Sequence, residues 1–188
     1  VESAVYGNWW GRLAYRVRHL MNRHSRAGSR KNIHAHYDIG NDFYKLWLDE
    51  SMTYSSARFT AASGADLALA QAEKYRAIIG QLRLEPGQRV LEIGCGWGGF
   101  AEMAARAGHH VTGISLSDAQ TTYARQRLHA AGLASRADLR LQDYRDVDAG
   151  YDGIASIEMF EAVGERYWPA FFRTVQRALK PDARACIQ

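Results

Sequence analysis

Short apolar runs alternate with segments of helical periodicity along most of the chain. The runs at 90–93, 110–114, 139–141, 154–157 and 185–187 predict strands, and apolar residues spaced three and four apart predict helices at 66–84, 100–107, 118–131 and 169–179. Strands separated by helices of this length favour right-handed parallel crossovers. The pattern therefore predicts an α/β fold with a doubly wound, Rossmann-like sheet.

The pattern changes upstream of residue 66. Residues 1–36 carry aromatic and aliphatic residues at roughly helical spacing among arginines, which predicts an amphipathic helical arm that caps the core. The segment 36–59 is dense in aromatic residues, and we expect it to form a lid. We therefore divide the chain into an arm and lid at 1–60 and a core at 61–188. Because the run at 185–187 is only the start of the fifth predicted strand, we expect the core to be incomplete at its C-terminus.

Composition narrows the class of protein. The chain has 188 residues, of which 47% are hydrophobic and 23% are charged, and this is the composition of one ordinary globular domain. No apolar run approaches the ~20 residues needed to span a bilayer. The two cysteines, Cys95 and Cys186, lack the paired spacing of a disulfide framework. A reducing compartment is expected, with the cytoplasm as the default.

The charge is distributed unevenly. The formal net charge is +4, and the basic excess gathers between residues 12 and 31 of the arm. Interleaved tryptophans and leucines favour a helix at an anionic membrane surface over a nucleic-acid arm, and an ordinary solvated face is the third alternative. We expect peripheral contact with the inner membrane face and no nucleic-acid partner. A homodimer is left open.

The candidate chemistry begins at a glycine-rich turn. The predicted strand at 90–93 runs into Gly94-x-Gly96-x-Gly98-Gly99 and then into a helix, so the turn lies at the carboxyl end of the strand, where open α/β sheets bind ligands. A dinucleotide site has its third glycine three residues after the second. The G-x-G-x-G spacing, with Glu92 two residues before the first glycine, favours S-adenosylmethionine. Taken alone, the turn is also compatible with another nucleotide or a structural role.

Four sequence blocks and one further match surround this turn. They are HYDIGNDFY at 36–44, TYSSA at 53–57, LEIGCGWG at 91–98, GISLSDAQ at 113–120 and IEMFEAVGERY at 157–167. Together these blocks resemble the cyclopropane-fatty-acid synthase and mycolic-acid methyltransferase family along nearly the whole chain. The resemblance implies a class I methyltransferase sheet with an N-terminal lid. It also implies methyl transfer from S-adenosylmethionine to the cis double bond of an unsaturated phospholipid acyl chain, which forms a cyclopropane or a methyl branch.

The resemblance also assigns cofactor-binding positions. Tyr54 and Ser55 are expected to close over the methionine part, and Ser115, Leu116 and Gln120 to contact the ribose and adenosine. Further residues are expected to line the cofactor or to bracket its adenine: Glu92, Gly94, Cys95, Gly96, Gly98, Asp143 and Tyr144. The predicted second strand ends without an acidic residue to bind the ribose hydroxyls. We hypothesise that Gln120 binds the ribose hydroxyls instead.

Catalysis is expected to involve Glu161, which lies just past the fourth predicted strand. Forming a cyclopropane requires a base, and the resemblance implies a bicarbonate ion held by a glutamate, a cysteine, a histidine and a later tyrosine. Glu161 matches the glutamate, whereas Ser56 stands at the cysteine position and Gln188 at the histidine position. Both can hydrogen-bond an anion, so the ring-forming outcome stays open beside a methylene branch. Glu158 is the competing carboxylate.

Several residues that resemble functional groups have an ordinary structural interpretation. Cys95 in a tight turn is expected to be a buried filler. His34 and His36 have ligand-like spacing without a second pair, so no metal is expected. Two other functions are kept as alternatives: a methyltransferase of a soluble small molecule, and a cofactor-binding scaffold without turnover.

Overall fold

A computed structural model describes residues 40–188 of the chain. The helices in this part are α1 (Asn41–Lys45), α2 (Leu67–Leu82), α3 (Gly99–Arg106), α4 (Asp118–Ala130) and α5 (Trp168–Ala178). The strands are β1 (Arg89–Ile93), β2 (His110–Ser115), β3 (Ala137–Leu141), β4 (Tyr151–Ser156) and β5 (Leu179–Ile187). Short 3₁₀ helices lie at Ala134–Arg136, Tyr144–Asp146, Phe160–Ala162 and Glu165–Tyr167.

All strands of the sheet are parallel, in the order β3-β2-β1-β4-β5. β1 pairs with β2 on one side and with β4 on the other, so the strand order reverses next to β1. This is the point at which doubly wound sheets open a crevice at the carboxyl ends of their strands. The predicted α/β fold class and its doubly wound sheet are therefore confirmed.

The predicted elements agree closely with the observed ones, because local signals fix their ends. Asp66 caps α2 by accepting a hydrogen bond from the Leu69 N–H, and Ser117 caps α4 through the Gln120 N–H. β4 begins at Tyr151, three residues before its predicted start, and the largest difference is at β5, which begins at Leu179 although a strand was predicted only from 185. Asp182 has a φ of 62°, and the pairing register with β4 shifts between Tyr151 and Gly153. The irregularity lies at Pro181 and Asp182, residue types that are typical of turns rather than strands.

Apolar side chains pack on both faces of the sheet. One cluster joins α2, α3 and α4 around Phe100 and Leu128, and the other joins α5 to the sheet around Tyr151 and Phe171. A third, small cluster of Tyr44, Met52 and Trp97 attaches α1 and the segment after it to the glycine-rich turn. The part of the predicted lid within residues 40–59 thus packs directly on the ligand-binding edge of the sheet.

Several predictions for the N-terminal part lie outside the described residues, including the helical arm at 1–36, the beginning of the lid and the histidine pair at 34 and 36. Within residues 40–188, no helix is both long and apolar enough to cross a membrane. The same part of the chain contains no group of three or more His, Cys, Asp or Glu side chains arranged to hold a metal ion.

Replacing Gly113 with alanine is expected to destabilise the protein by about 1–3 kcal/mol. A Cβ at this position in β2 would lie 2.6 Å from Leu139 Cδ2 and 3.0 Å from Cys95 Cβ, and both neighbours are buried. Gly80 is the matched control, since a Cβ there meets no atom within 4 Å and the residue is exposed within α2. We expect Gly80→Ala to stabilise by about 0.5–1 kcal/mol. Urea unfolding of both variants tests the difference, and equal free energies of unfolding would contradict it.

Candidate functional site

A cavity of about 420 Å³ opens at the carboxyl ends of β1, β2, β3 and β4. Its size lies within the range of ~300–1,000 Å³ typical of small-molecule sites. All but one of the predicted cofactor-binding residues line it: Tyr54, Ser55, Glu92, Gly94, Cys95, Gly96, Ser115, Leu116, Gln120, Asp143 and Tyr144. The fold therefore brings together residues that are up to ninety positions apart in the sequence, from 54 to 144.

The glycine-rich turn forms the floor of the cavity. The backbone N–H groups of Gly94 and Cys95 both donate to the Ile114 carbonyl, which fixes the turn across the end of β2. Gly94 and Gly96 have φ values of 89° and 49°, a backbone region that residues other than glycine rarely adopt. A Cβ on Gly96 would meet no atom within 4 Å. At Gly96, therefore, the turn presents bare backbone to open space.

Gly98 is the predicted cofactor residue that the structure places elsewhere. It is not among the described residues that line the cavity. Its φ is 84°, and a Cβ at this position would lie 2.9 Å from the Ala124 Cβ. Gly98 is therefore required for the close packing of the start of α3 against α4, a role that the glycine spacing alone does not distinguish from ligand contact.

Beside the turn, the end of β2 holds a polar pair. Ser115 Oγ donates to Gln120 Oε1 over 3.1 Å, and both residues are buried. Within the described part of the chain, the Gln120 amide nitrogen has no hydrogen-bond acceptor. Gln120 therefore keeps donors for a ligand, as the ribose hypothesis requires.

The opposite wall follows β3. Asp143 accepts from Arg145 through both carboxylate oxygens, at 2.8 and 2.5 Å. This hydrogen bonding raises the pKa of Arg145 above its ordinary value. Tyr144 packs its ring on Phe171 with 5.5 Å between centroids. An adenine bracketed here would meet a fixed ring next to a carboxylate that is already paired with Arg145.

Trp97 anchors the lid segment to the cavity. Its indole Nε1 donates to Asn41 Oδ1 over 2.8 Å, and its ring lies 4.9 Å from the Tyr44 ring. Arg127 on α4 ion-pairs with Glu102 and donates to the Ser51 carbonyl over 2.5 Å. Because these contacts join the segment to α3, α4 and the glycine-rich turn, Tyr54 and Ser55 have a defined position over the cavity.

Two polar residues on the buried face of α2 hold Ser55 and Ser56 from below. Gln71 Nε2 donates to the Ser55 carbonyl over 2.8 Å. Lys74 Nζ lies 2.5 Å from Ser55 Oγ, 2.9 Å from the Ser56 carbonyl and 2.7 Å from Gln71 Oε1. An ammonium group has three hydrogens and no lone pair, so all of its donors are used. The sequence analysis identified neither residue. The signal that could have indicated them is the presence of a glutamine and a lysine within the apolar stripe of the helix predicted at 66–84.

Glu92 is the buried carboxyl of the cavity. Its side chain is 3% exposed, and within residues 40–188 its Oε2 atom has no hydrogen-bond partner. Burial raises the pKa of Glu92 well above its ordinary value, although the Ala101 backbone, Arg127 and Lys74 act in the opposite direction. A buried acceptor without a donor is costly, which indicates that a ligand donor completes this position.

Cys95 behaves as the expected buried filler. Burial, and to a lesser extent the nearby Glu92, raises the pKa of its thiol well above the ordinary value. A thiol that keeps its proton is a poor nucleophile. Cys95 therefore lines the cavity without the properties of a catalytic cysteine.

The predicted catalytic residues are only partly brought together. Ser56 and Gln188 lie 132 positions apart and are hydrogen-bonded, with Gln188 Nε2 donating to Ser56 Oγ over 3.0 Å. The carboxylate that joins them is Glu158, whose Oε1 atom accepts from Ser56 Oγ over 2.6 Å and from Gln188 Nε2 over 3.1 Å. Glu158 also lines the cavity.

Glu161 differs from the prediction. It is exposed on the 3₁₀ helix Phe160–Ala162 and is not among the described residues that line the cavity. The physical reason is the left-handed backbone conformation of Glu158, just before that helix, where φ is 45°. It directs the carboxylates of Glu158 and Glu161 away from each other. The carboxylate in contact with Ser56 and Gln188 is thus the competing one, Glu158, and a catalytic part for Glu161 stays a prediction.

Comparison with known proteins identifies a family. The profile described as "Mycolic acid cyclopropane synthetase" matches residues 24–188. The tuberculostearic acid methyltransferase UfaA1 of Mycobacterium tuberculosis is 43% identical over 171 residues, covering 88% of this chain and 40% of its own. The cyclopropane-fatty-acyl-phospholipid synthase of Escherichia coli K12 is 41% identical over 148 residues, covering 78% of this chain and 37% of its own. This chain thus spans about two fifths of the length of these relatives.

A solved structure shows the same fold. The mycolic acid cyclopropane synthase CmaA1, complexed with SAH and CTAB, superposes with a TM-score of 0.78 at 33% identity. The match covers 84% of this chain and 55% of that one.

Proposed function

The chain belongs to the mycolic acid cyclopropane synthetase family, and we propose that it transfers a methyl group from S-adenosylmethionine to an unsaturated acyl chain. The substrate would be the cis double bond of a phospholipid fatty acid, and the product a cyclopropane or methyl-branched chain. The observation that carries the proposal is the cavity at the switch point of the sheet. Its walls combine the bare backbone at Gly96, the lid residues Tyr54 and Ser55, and the polar pair Ser115 and Gln120.

The chemistry of the cavity fits this cofactor from end to end. Ser55, beside the Lys74 ammonium, suits a carboxylate, and the unpartnered oxygen of Glu92 suits an amino group. Donors on Gln120 suit ribose hydroxyls, and the Tyr144 ring suits an adenine. When bound, S-adenosylmethionine supplies the electrophilic methyl group. The chain's own residues must then position the acceptor, exclude water and remove a proton.

An apolar acceptor is supported by the side chains around the mouth of the cavity. Trp47 packs its ring 5.4 Å from the ring of Tyr54, which lines the cavity. Phe43, on the short helix α1, and Leu46, which directly follows this helix, are also exposed. Leu46 is 82% exposed. Apolar groups left in water next to a ligand site favour a lipid acyl chain over a polar small molecule.

The same proposal includes the location of the reaction. An acyl chain within a bilayer has to be approached from its surface, so we place the protein in the cytoplasm, in peripheral contact with an anionic inner membrane face. The basic arm predicted from the sequence and the exposed apolar groups near Tyr54 support this placement.

The test is incubation of the full chain with methyl-labelled S-adenosylmethionine and vesicles of unsaturated phospholipid, followed by mass spectrometry of the fatty acids. We expect label in chains that gain a ring or a branch, and none with vesicles of saturated phospholipid. Binding of S-adenosylhomocysteine without labelled lipid would support the scaffold alternative instead. Label only in added soluble acceptors would support a small-molecule methyltransferase.

A further inference from the structure

The carboxylate of Glu158 occupies the centre of the predicted anion site. Its Oε1 atom accepts hydrogen bonds from the Ser56 N–H at 2.8 Å, the Ser56 hydroxyl at 2.6 Å and the Gln188 amide at 3.1 Å. The resemblance assigned the positions of Ser56 and Gln188 to holding a bicarbonate ion. In this structure their donors are directed to a carboxylate of the chain itself.

The backbone of Glu158 is held in place as well. Its N–H donates to the Gln188 carbonyl over 3.0 Å, and the Gln188 N–H donates to the Ser156 carbonyl over 2.9 Å. Its φ of 45° lies in the left-handed region, which is unfavourable for a residue with a long side chain. Such strain persists where the surroundings enforce it, and it is concentrated at functional sites.

The charge of the surroundings keeps Glu158 ionised. Burial acts to raise the pKa of this carboxyl, but the hydrogen bonds from Ser56 and Gln188 and the ammonium of Lys74 together lower it below the ordinary value. A carboxylate at this position is therefore an anion at neutral pH.

A bound bicarbonate does not fit this arrangement. The donors of Ser56 and Gln188 that would hold it are directed to Glu158, and the Gln188 amide also donates to Ser56 Oγ. A second anion among them would also face the negative charge of Glu158 at short range, which is unfavourable. The residues present thus favour one internal carboxylate over an exchangeable ion.

We infer that Glu158 replaces bicarbonate and accepts the proton in the reaction. The inference rests on the proposed function. The proton leaves the transferred carbon for the Glu158 carboxylate, and the electron pair of the broken C–H bond closes the ring and neutralises the carbocation. The resulting carboxyl group then releases its proton to solvent. Within the described residues, hydrogen bonds reach only Oε1, so Oε2 is available for this transfer.

A weak base is sufficient at this step. The transferred methyl group is attached to the carbon beside the cationic centre, and partial bonding between the two makes its C–H bonds strongly acidic. The position of the acceptor therefore matters more than its basicity. Before the transfer, the negative charge of Glu158 also stabilises the cation, as preorganised charges do at developing opposite charges. Glu158 lines the cavity and is tied to two distant segments, so it meets both requirements.

Bicarbonate dependence tests the inference in the full chain. We expect wild-type turnover of unsaturated phospholipid to be unchanged when bicarbonate is removed from the buffer. Glu158→Gln keeps the acceptor for Ser56 but cannot take a proton, and we expect about a hundredfold loss of turnover. Glu158→Ala leaves the Ser56 N–H, the Ser56 hydroxyl and one Gln188 amide hydrogen without their acceptor, and added bicarbonate should restore part of its turnover.

A direct binding measurement provides a second readout. Calorimetric titration with sodium bicarbonate is expected to show no saturable binding to the wild type and saturable binding to Glu158→Ala. Glu165→Gln, a change of an exposed glutamate on a neighbouring 3₁₀ helix, is the matched control and should behave as the wild type does.

Two results would overturn the inference: saturable bicarbonate binding to the wild type, or wild-type turnover in Glu158→Gln. A different result would refute the proposed function alone. If the wild type methylates no lipid but Glu158→Ala still gains bicarbonate binding, the function is wrong while the replacement of the ion by Glu158 stands.

Discussion

Replacing Lys74 with methionine is expected to lower the affinity for S-adenosylhomocysteine by about tenfold or more, and to leave the affinity for methylthioadenosine nearly unchanged. The two ligands share the adenosine part, but only the first carries the amino-acid carboxylate. Because the Lys74 ammonium can only donate, Ser55 Oγ must accept from it, and the Ser55 hydroxyl hydrogen is left to donate into the cavity. Lys74 thus favours an anionic acceptor next to Ser55.

Calorimetry with both ligands separates this positioning role from a loss of structure. The matched control is Arg76→Met, which removes an exposed cation of the same helix that pairs only with Glu73 among the described residues. We expect it to bind both ligands as the wild type does. An equal loss of affinity for the two ligands in Lys74→Met would show that the lysine merely supports the fold.

The same lysine predicts a pH dependence. Burial lowers the pKa of Lys74 to about 8, against the opposing effects of Glu158, Asp49 and Glu92. Raising the pH through this value removes the ammonium, so the affinity for S-adenosylhomocysteine is expected to fall there. The ligand's own amino group titrates in a neighbouring range, and Lys74→Met corrects for it because its profile lacks the contribution of the lysine. Parallel profiles of the two proteins would contradict the prediction.

The sequence predicted the sheet well, because the signals that build it are local. Buried strands appear as short apolar runs, which in β1 only Glu92 interrupts, and caps such as Ser117 mark helix ends directly. The ligand-binding edge follows from the topology, since every parallel strand delivers its carboxyl end there. The residues that the resemblance assigned to the cofactor line the cavity, apart from Gly98, and their binding of the cofactor stays a prediction.

The charged residues beneath the cavity could not be predicted in the same way. The function of Lys74 depends on which segment crosses α2, and the periodicity of a helix contains no information about that crossing. The choice between Glu158 and Glu161 depends on one backbone conformation, the φ of 45° at Glu158, which no spacing rule indicates for a glutamate. Both features arise from contacts between segments far apart in the sequence.

These charges are connected. The Lys74 ammonium lowers the pKa of Glu158 and acts against the raised pKa of Glu92, while both carboxylates act to keep Lys74 protonated. The cation therefore lies between two acids with different protonation: Glu158 is ionised, and Glu92 tends to keep its proton. A ligand with a carboxylate and an amino group needs a cation, such as Lys74, near the first and a carboxylate, such as Glu92, near the second.

Glu92→Gln is expected to change stability and ligand affinity in opposite directions. The amide is nearly isosteric with the carboxyl and cannot ionise, so it avoids the cost of burying a charge. Over the pH range between the ordinary pKa of glutamate and the raised value in the native state, the native protein binds more protons than the unfolded chain. Wild-type stability therefore falls as the pH rises through this range, and the variant lacks this fall.

We accordingly expect the advantage of Glu92→Gln in free energy of unfolding to grow as the pH rises above the ordinary pKa of glutamate, a range that measurements from about pH 5 to about pH 8 sample. The affinity for S-adenosylhomocysteine should fall by about tenfold, because the ligand's ammonium group favours the ionised form of Glu92 as its acceptor at Oε2, and a glutamine cannot supply that charge. Urea unfolding across this range and calorimetry measure the two effects, with Glu165→Gln as an exposed control expected to show neither. A variant that is less stable than the wild type at about pH 8 would mean that an ionised Glu92 supports the fold through its neighbours Arg127 and Lys74. In that case, loss of affinity would follow from loss of structure, and methylthioadenosine would bind less tightly as well.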